Sequence, residues 1–452
     1  MRVAPFALFL GAVFAVLVTL QPINDSDLFW HIETGRRTLS GDLPRVDVFS
    51  WTASGMPVFT DQWLGDLILA VAGAVAGWSG VLVLRALAVF ALVTLLADGA
   101  LSARPRQPIV AIVASVPAVL LSRFAWTDRP ELLGLVCFAL MIRLLRGGDR
   151  ELLLAIVLLF IWAQVHGSYA LGLGLILVSC AARALEDDRE RWRFVPIASF
   201  AILATLLTPS GLDAWTSSGG HFLAPPRFIA EEGPPDARTL PGAIFLVTLA
   251  LVIATAMLTR RATLREMAIL IPVALVSLTA TRHMPLLAIA ATPYFASSWA
   301  DPLARWRSRD AGIPPLAGAL GRAGVAGIGA IVLAIAVFLA NAKVDERGYP
   351  RAALGALPSG SGVLNQYDWG GWLIYAKPAT PVFIDGRLFP YVPDVLEDYR
   401  VIVNARPGWE SVVAKRGVRA MIVRPTDAIA VRAPERGWRV VFEDAIAVVL
   451  VR

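Results

Sequence analysis

The residues best suited to chemistry lie near the start of this 452-residue chain, in Asn24-Asp25-Ser26-Asp27-Leu28-Phe29-Trp30-His31. A carboxylate can take the proton of an attacking hydroxyl, and a histidine can share or relay it near neutral pH. Asn, Asp and Ser are capping residues, so a helix is predicted to start in this cluster and to stop near Gly41. On that helix Asp27 and His31 stand four apart and share a face, where they could hydrogen-bond or hold a metal together. Asp25 reads equally well as an N-cap, and Asp27 as a solvated first-turn acid that favours the helix dipole. Residues two apart on a helix point to different faces, which favours Asp27 with His31 as the working pair. In an extended segment Asp25 and Asp27 would share a side, and either could be the base.

Further candidates occur along the chain. Arg85 lies a few residues inside an apolar run, where a charge must snorkel or meet an anion. Arg123, Asp128 and Arg129 form a short polar turn, with Asp128 expected to pair with an arginine. His166-Gly167-Ser168-Tyr169 joins two apolar runs, and the plainer reading of its histidine is a satisfied packing residue. Glu231, Glu232 and Asp236 fall in the loop from Thr208 to Leu240, where solvated acids are the ordinary expectation. The position of Arg282-His283, at a tight turn, suits anchoring as well as phosphate binding.

The elements that must position these groups are apolar. Hydrophobic residues make up 57% of the sequence and charged residues 17%, against about 45–50% and about 25% in soluble domains. Runs at 3–20, 80–101, 109–121, 132–145, 152–164, 171–184, 195–207, 242–258, 267–280, 285–298 and 316–340 predict a polytopic α-helical membrane protein of about 11 transmembrane helices. The stretch Trp63–Trp78 is read as lying in the interface, because seventeen loop arginines then fall on the cytoplasmic side and eight on the other. This places the N-terminus in the cytoplasm and the first loop, 21–79, outside it. Residues 1–340 form the membrane domain. Residues 341–452 have soluble composition and predict a small extracytoplasmic α/β domain, with β-prone runs at Val382–Ile384, Ala420–Val423, Val440–Phe442 and Ala447–Val451. Its aromatics Trp369, Trp372, Tyr375 and Tyr391 suit a core or glycan stacking. The formal charge of +6 comes from arginine clusters between apolar runs, a pattern of membrane topology that argues against nucleic acid as a partner. Cys137 and Cys180 sit in apolar runs and read as small hydrophobes.

With Asp25-x-Asp27, Leu28-Phe29-Trp30-His31-Ile32-x-x-Gly35, Ser40-Gly41-Asp42-Leu43-Pro44 and the stretch from Trp63 to Arg85, the chain resembles the GT-C superfamily of membrane glycosyltransferases. It is similar to one bacterial branch through Trp162-x-x-Val165-His166-Gly167-Ser168-Tyr169, Thr208-Pro209-Ser210-Gly211, Asn365-x-Tyr367-Asp368-Trp369-Gly370-Gly371 and Ile384-Asp385-Gly386-Arg387. The resemblance implies a GT-C-like fold in the bacterial inner membrane. It also implies transfer of a sugar from a polyprenyl phosphate or diphosphate lipid to a glycan, lipid or protein acceptor. Asp27 or Asp25 would be the base, aided by His31. Arg85, Arg129, His166, Glu231, Arg282 and His283 would bind substrate, the arginines at the lipid phosphate. Many members carry an acidic residue directly after the catalytic aspartate, whereas Ser26 and Leu28 stand there in this sequence. That leaves open both the choice between the aspartates and the part of a divalent metal as cofactor. Competing readings are a transporter or flippase of lipid-linked sugar and a non-catalytic membrane scaffold.

Overall fold

The computed structural model describes residues 5–58, 62–102, 108–186, 191–216, 230–259, 262–307 and 342–452. These divide into two units, Met1–Gln21 with Ser79–Ala342 and Pro22–Trp78 with Lys343–Arg452. The first loop and the C-terminal segment therefore belong to one unit.

The helical unit is built from α1 (Pro5–Thr19), the later part of α3 (Trp63–Leu101), α4 (Pro108–Ser122), α5 (Pro130–Leu145), α6 (Asp149–Val165), α7 (Tyr169–Glu186), α8 (Phe194–Leu206), α9 (Leu240–Thr259), α10 (Leu264–Ser277) and α11 (Met284–Arg307). Each matches a predicted apolar run; the run 316–340 lies outside the described residues. Three of the described helices, α3, α7 and α9, are long and apolar enough to cross a bilayer by length and composition. Alanines and leucines such as Ala97, Ala111, Ala155, Leu159 and Ala291 fill the interior between the helices. The outer faces are also apolar. Leu153, Val157 and Ile161 repeat every four residues on α6 and are each about half exposed. Contact with water at such a stripe costs about 25 cal/mol per Å² of apolar surface, whereas lipid removes that cost.

α3 is interrupted at Ala76 and Gly77, where Gly77 adopts φ 59°, a value that L-residues with a side chain rarely reach. The helical arm before this break, Trp63 to Val75, belongs to the second unit.

In that mixed unit, β1 (Val363–Asn365), β2 (Ala420–Val423), β3 (Arg439–Glu443) and β4 (Val448–Val451) form a sheet in the order β1-β2-β4-β3. β1 runs parallel to β2, with Val363 opposite Ala420, and the other pairs are antiparallel. The parallel pair requires a crossover, supplied by α12 (Gly370–Ala376), α13 (Asp394–Val403) and α14 (Trp409–Arg416). Three of the four expected β runs are strands. Val382–Ile384 is not: Val382 forms a single bridge to Ser50, while the side chain of Asn365 takes the amide of Phe383 at 2.7 Å and gives to the carbonyl of Ile384 at 2.8 Å. A side-chain clamp has replaced the ladder. The core joins both sequence segments, with Phe29, Trp30 and Phe49 packed with Val363, Trp369, Trp372, Ile422 and Val449. Trp369, Trp372 and Tyr391 are buried core residues, and Tyr375 is half-buried.

Candidate active site

The Asp25–Asp27 turn enters α2 (Leu28–Leu39) in the mixed unit. The helix starts one residue after Asp27, at the polar-to-apolar switch, and stops at Ser40 before Gly41, which has φ 86°. Asp25 is buried, and its Oδ1 accepts the amide of Asp27 at 3.0 Å. It thus supports the turn one step ahead of the helix. Asp27 occupies the N-cap position with helical backbone angles and makes no capping bond with its side chain. Its carboxylate, half-buried, is directed elsewhere. Neither aspartate lies inside the helix body, so the expected separation onto two helix faces is not what distinguishes them. Asp25 is tied to the turn by the Asp27 amide, and Asp27 has the N-cap position.

His31 and Gly35 share one face of α2, four residues apart, and that face meets the first part of α3. At Gly35 a Cβ would overlap the carbonyl of Asp66, so the helices approach more closely than any side chain permits. His31 Nδ1 then pairs with Asp66 Oδ1 at 2.6 Å, with both side chains buried, and its ring lies 3.5 Å from that of Trp30. Asp66 was not singled out in the sequence. Only the spacing of His31 and Gly35 hinted that α2 has a buried face.

Around Asp27 the C-terminal motifs converge. A Cβ at Gly386 would overlap the Asp27 carboxylate, and one at Gly371 would lie 2.3 Å from the Ser26 carbonyl. Next to Gly386, Arg387 forks onto Asp385 with contacts of 2.8 and 2.6 Å, reaches Asp47 at 2.5 Å and donates to the Tyr391 hydroxyl at 2.7 Å. The Phe49 ring lies beneath its guanidinium, 4.9 Å away. Burial works against a charged guanidinium, but Asp385, Tyr391 and Asp47 outweigh it and hold the Arg387 pKa well above its ordinary value. Tyr349 stacks on Trp372 at 5.3 Å and meets Phe29 edge-on. Its hydroxyl pKa is raised first by burial and then by the charges of Asp25 and Asp27, so it stays a neutral donor.

The other candidates lie in the helical unit. Arg85 is 4% exposed and donates to Asp128 at 3.0 Å and to the carbonyls of Val18 and Gln21 at 3.2 and 2.5 Å. It ties the end of α1 to the turn before α5, and the arginine expected beside Asp128 is this one. Arg129 precedes Pro130 at the start of α5 and is half-buried. His166 Nδ1 bonds Ser168 Oγ at 2.8 Å, and the same hydroxyl accepts Trp162 Nε1 at 3.1 Å, which knits the turn between α6 and α7. Glu231 is exposed, but Glu232 departs from the expectation of a solvated acid: it is buried and pairs with Arg282 at 2.7 Å. The backbone bond from Thr281 to the Gly233 carbonyl, 2.7 Å, brings these two turns together. His283 bonds Thr279 Oγ1 at 3.1 Å. Arg282 and Arg129 therefore keep partly open faces, whereas Arg85 is enclosed.

Among the described residues no group of three or more His, Cys, Asp or Glu side chains is placed to hold a metal ion.

No sequence-family model matches the chain, and no curated protein matches it. Among solved structures, it is similar to the crystal structure of ArnT from Cupriavidus metallidurans in the apo state. The TM-score is 0.53 at 14% identity, over 97% of this chain and 96% of that one. An architecture shared end to end at so low an identity shows the fold alone: this chain has the fold of that ArnT structure.

Proposed function

We propose that the protein is a multi-pass inner-membrane glycosyltransferase that moves a sugar from a polyprenyl phosphate or diphosphate lipid to an extracytoplasmic acceptor. The observation that carries this reading is the Asp25–Asp27 turn. It directly follows the first apolar helix of a GT-C-like fold, with Asp25 holding the Asp27 amide and the Asp27 carboxylate set against Gly386. Asp27 is the base. As the acceptor oxygen bonds to the anomeric carbon, its proton passes to Asp27, the bond from that carbon to the phosphate oxygen breaks, and the electron pair leaves with the lipid phosphate. General-base assistance of this kind contributes roughly 10²–10⁴ in rate. His31, held by Asp66, fixes the first turn of α2 that follows Asp27. Arg282 and Arg129, both partly exposed, are the residues assigned to the lipid phosphate, where positive charge stabilises the leaving group. Arg85 contributes by fixing the exit of α1.

The test uses purified protein in nanodiscs, supplied with polyprenyl-phosphate-linked sugars and acceptor material extracted from bacterial membranes. The readout is release of free polyprenyl phosphate, a product that is the same whichever sugar is transferred. Wild-type protein is expected to release it, Asp27→Asn to lose at least about 10² of the rate, and Asp25→Asn to lose less, because asparagine still accepts the Asp27 amide. Full activity in both variants overturns the mechanism.

A further inference from the structure

Two motifs of the C-terminal segment, Asn365 to Gly371 and Ile384 to Arg387, are over three hundred residues from Asp27 in sequence and do no chemistry in the mechanism above. Their contacts nevertheless end at the Asp25–Asp27 turn. Asn365 holds the backbone of Phe383 and Ile384 through its amide group. The next residues, Asp385 and Arg387, are locked by the fork between them, by Asp47 from the first loop, and by the Tyr391 hydroxyl, which donates to Asp385 at 2.5 Å. Between these two locked residues is Gly386, whose missing side chain leaves the space that the Asp27 carboxylate occupies. Asp47 is itself fixed, accepting the amide of Ser50 at 3.1 Å and the Ser50 hydroxyl. The neighbouring Thr52 hydroxyl donates to the Phe383 carbonyl at 2.5 Å.

We infer that Arg387 is a positioning residue for Asp27: its four-point anchorage fixes the Gly386 backbone as the wall against which the carboxylate is seated. The inference rests on Asp27 being the base. Arg387 has nothing to do with substrate in this role. A guanidinium is suited to it because only a planar fork can satisfy Asp385 with two bonds while a further nitrogen reaches Asp47. Lysine would keep the charge and lose the fork. The inference also gives the C-terminal segment a purpose: it forms part of the frame of the catalytic turn.

The experiment combines a mechanical and a catalytic readout on full-length protein in nanodiscs. Hydrogen exchange at the amides of residues 25–31 is expected to rise at least tenfold in Arg387→Met and less in Arg387→Lys, with exchange in α6 unchanged. Gly386→Ala is expected to lower the thermal midpoint, and that loss is expected to vanish when Asp27 is also alanine, because the overlapping carboxylate is gone. In the polyprenyl phosphate release assay, Arg387→Met and Gly386→Ala should lower turnover about 10²-fold, the size of a roughly 1 Å misplacement, with the apparent KM for donor lipid within threefold. Arg387→Lys should recover part of the turnover. Unchanged exchange at residues 25–31 in Arg387→Met, or a Gly386→Ala loss that persists without the Asp27 carboxylate, overturns the coupling. If those two results hold while Asp27→Asn keeps full activity, the assignment of Asp27 as base has failed and the mechanical coupling stands. Loss of exchange protection throughout the chain in both Arg387 variants would show a general structural role and overturn the positioning one.

Discussion

Arg85 in the helical unit and Arg387 in the mixed unit show how differently the halves of this molecule handle polar groups. Arg85 meets Asp128 and the carbonyls of Val18 and Gln21 at the end of the first helix. Arg387 meets two carboxylates and a tyrosine, drawn from segments 340 residues apart. The surrounding side chains follow the same division. In the helical unit Thr19, Thr248 and Thr292 return their hydroxyls to carbonyls three or four residues earlier in their own helices. In the mixed unit Thr52 and Trp51 donate to backbone more than three hundred residues away in sequence. The cause lies in the backbone. A long helix satisfies its own peptide groups, so a hydroxyl on it can be satisfied by a carbonyl one turn back. Short strands and irregular loops leave peptide groups unmet, and side chains from other segments must supply the bonds.

Breaking the Arg85 tie tests the helical half of this contrast and should have the largest effect. Arg85→Met removes the guanidinium that meets the buried Asp128 carboxylate at 3.0 Å and is expected to cost about 3–5 kcal/mol. Thermal unfolding in detergent measures this, and adding Asp128→Leu should recover much of the loss. A double variant no more stable than Arg85→Met would show that the two carbonyl bonds, not the ion pair, hold the end of α1.

Gly371→Ala examines the mixed half. Its Cβ meets the Ser26 carbonyl, backbone rather than a flexible side-chain end, so the turn must shift. The expected cost is about 1–3 kcal/mol, as for overpacking elsewhere, with turnover in the polyprenyl phosphate assay falling by more than stability does. Equal stability to wild type would mean that the turn is looser than its contacts imply.

The exposed pair of Arg424 with Asp368, 2.5 Å apart with both side chains about half exposed, sets the lower end of the scale. Solvent screening reduces such pairs to about 0–1 kcal/mol, so Asp368→Asn should leave the thermal midpoint within a degree or two. A larger shift would indicate that Asp368 matters to the fold through its place beside Trp369 rather than through its charge.

How much of this was legible beforehand differs between the units for the same reason. The apolar runs predicted every described helix of the helical unit, because helix formation between apolar neighbours depends on local composition and length. The runs at Ala420–Val423, Val440–Phe442 and Ala447–Val451 became strands for a comparable reason, since enrichment in β-branched and aromatic residues is local too. Val382–Ile384 has the same composition and is not a strand, since whether a run enters a ladder depends on which edge lies beside it. Asp25, Asp27 and His31 were legible as candidates from residue type alone, and their partners were not. Nothing in the spacing of His31 points to Asp66, nor in Asp27 to Gly386, nor in Glu232 to Arg282.

The sequence by itself thus determined where helices form, which residues face apolar surroundings and which side chains are able to do acid–base chemistry, because these are properties of short windows. Tertiary structure alone decided which carboxylate meets His31, which arginine is enclosed and which glycine leaves room for Asp27. Those outcomes depend on desolvation and on the few ångströms over which hydrogen bonds act, and segments far apart in the chain come within that range only when it folds.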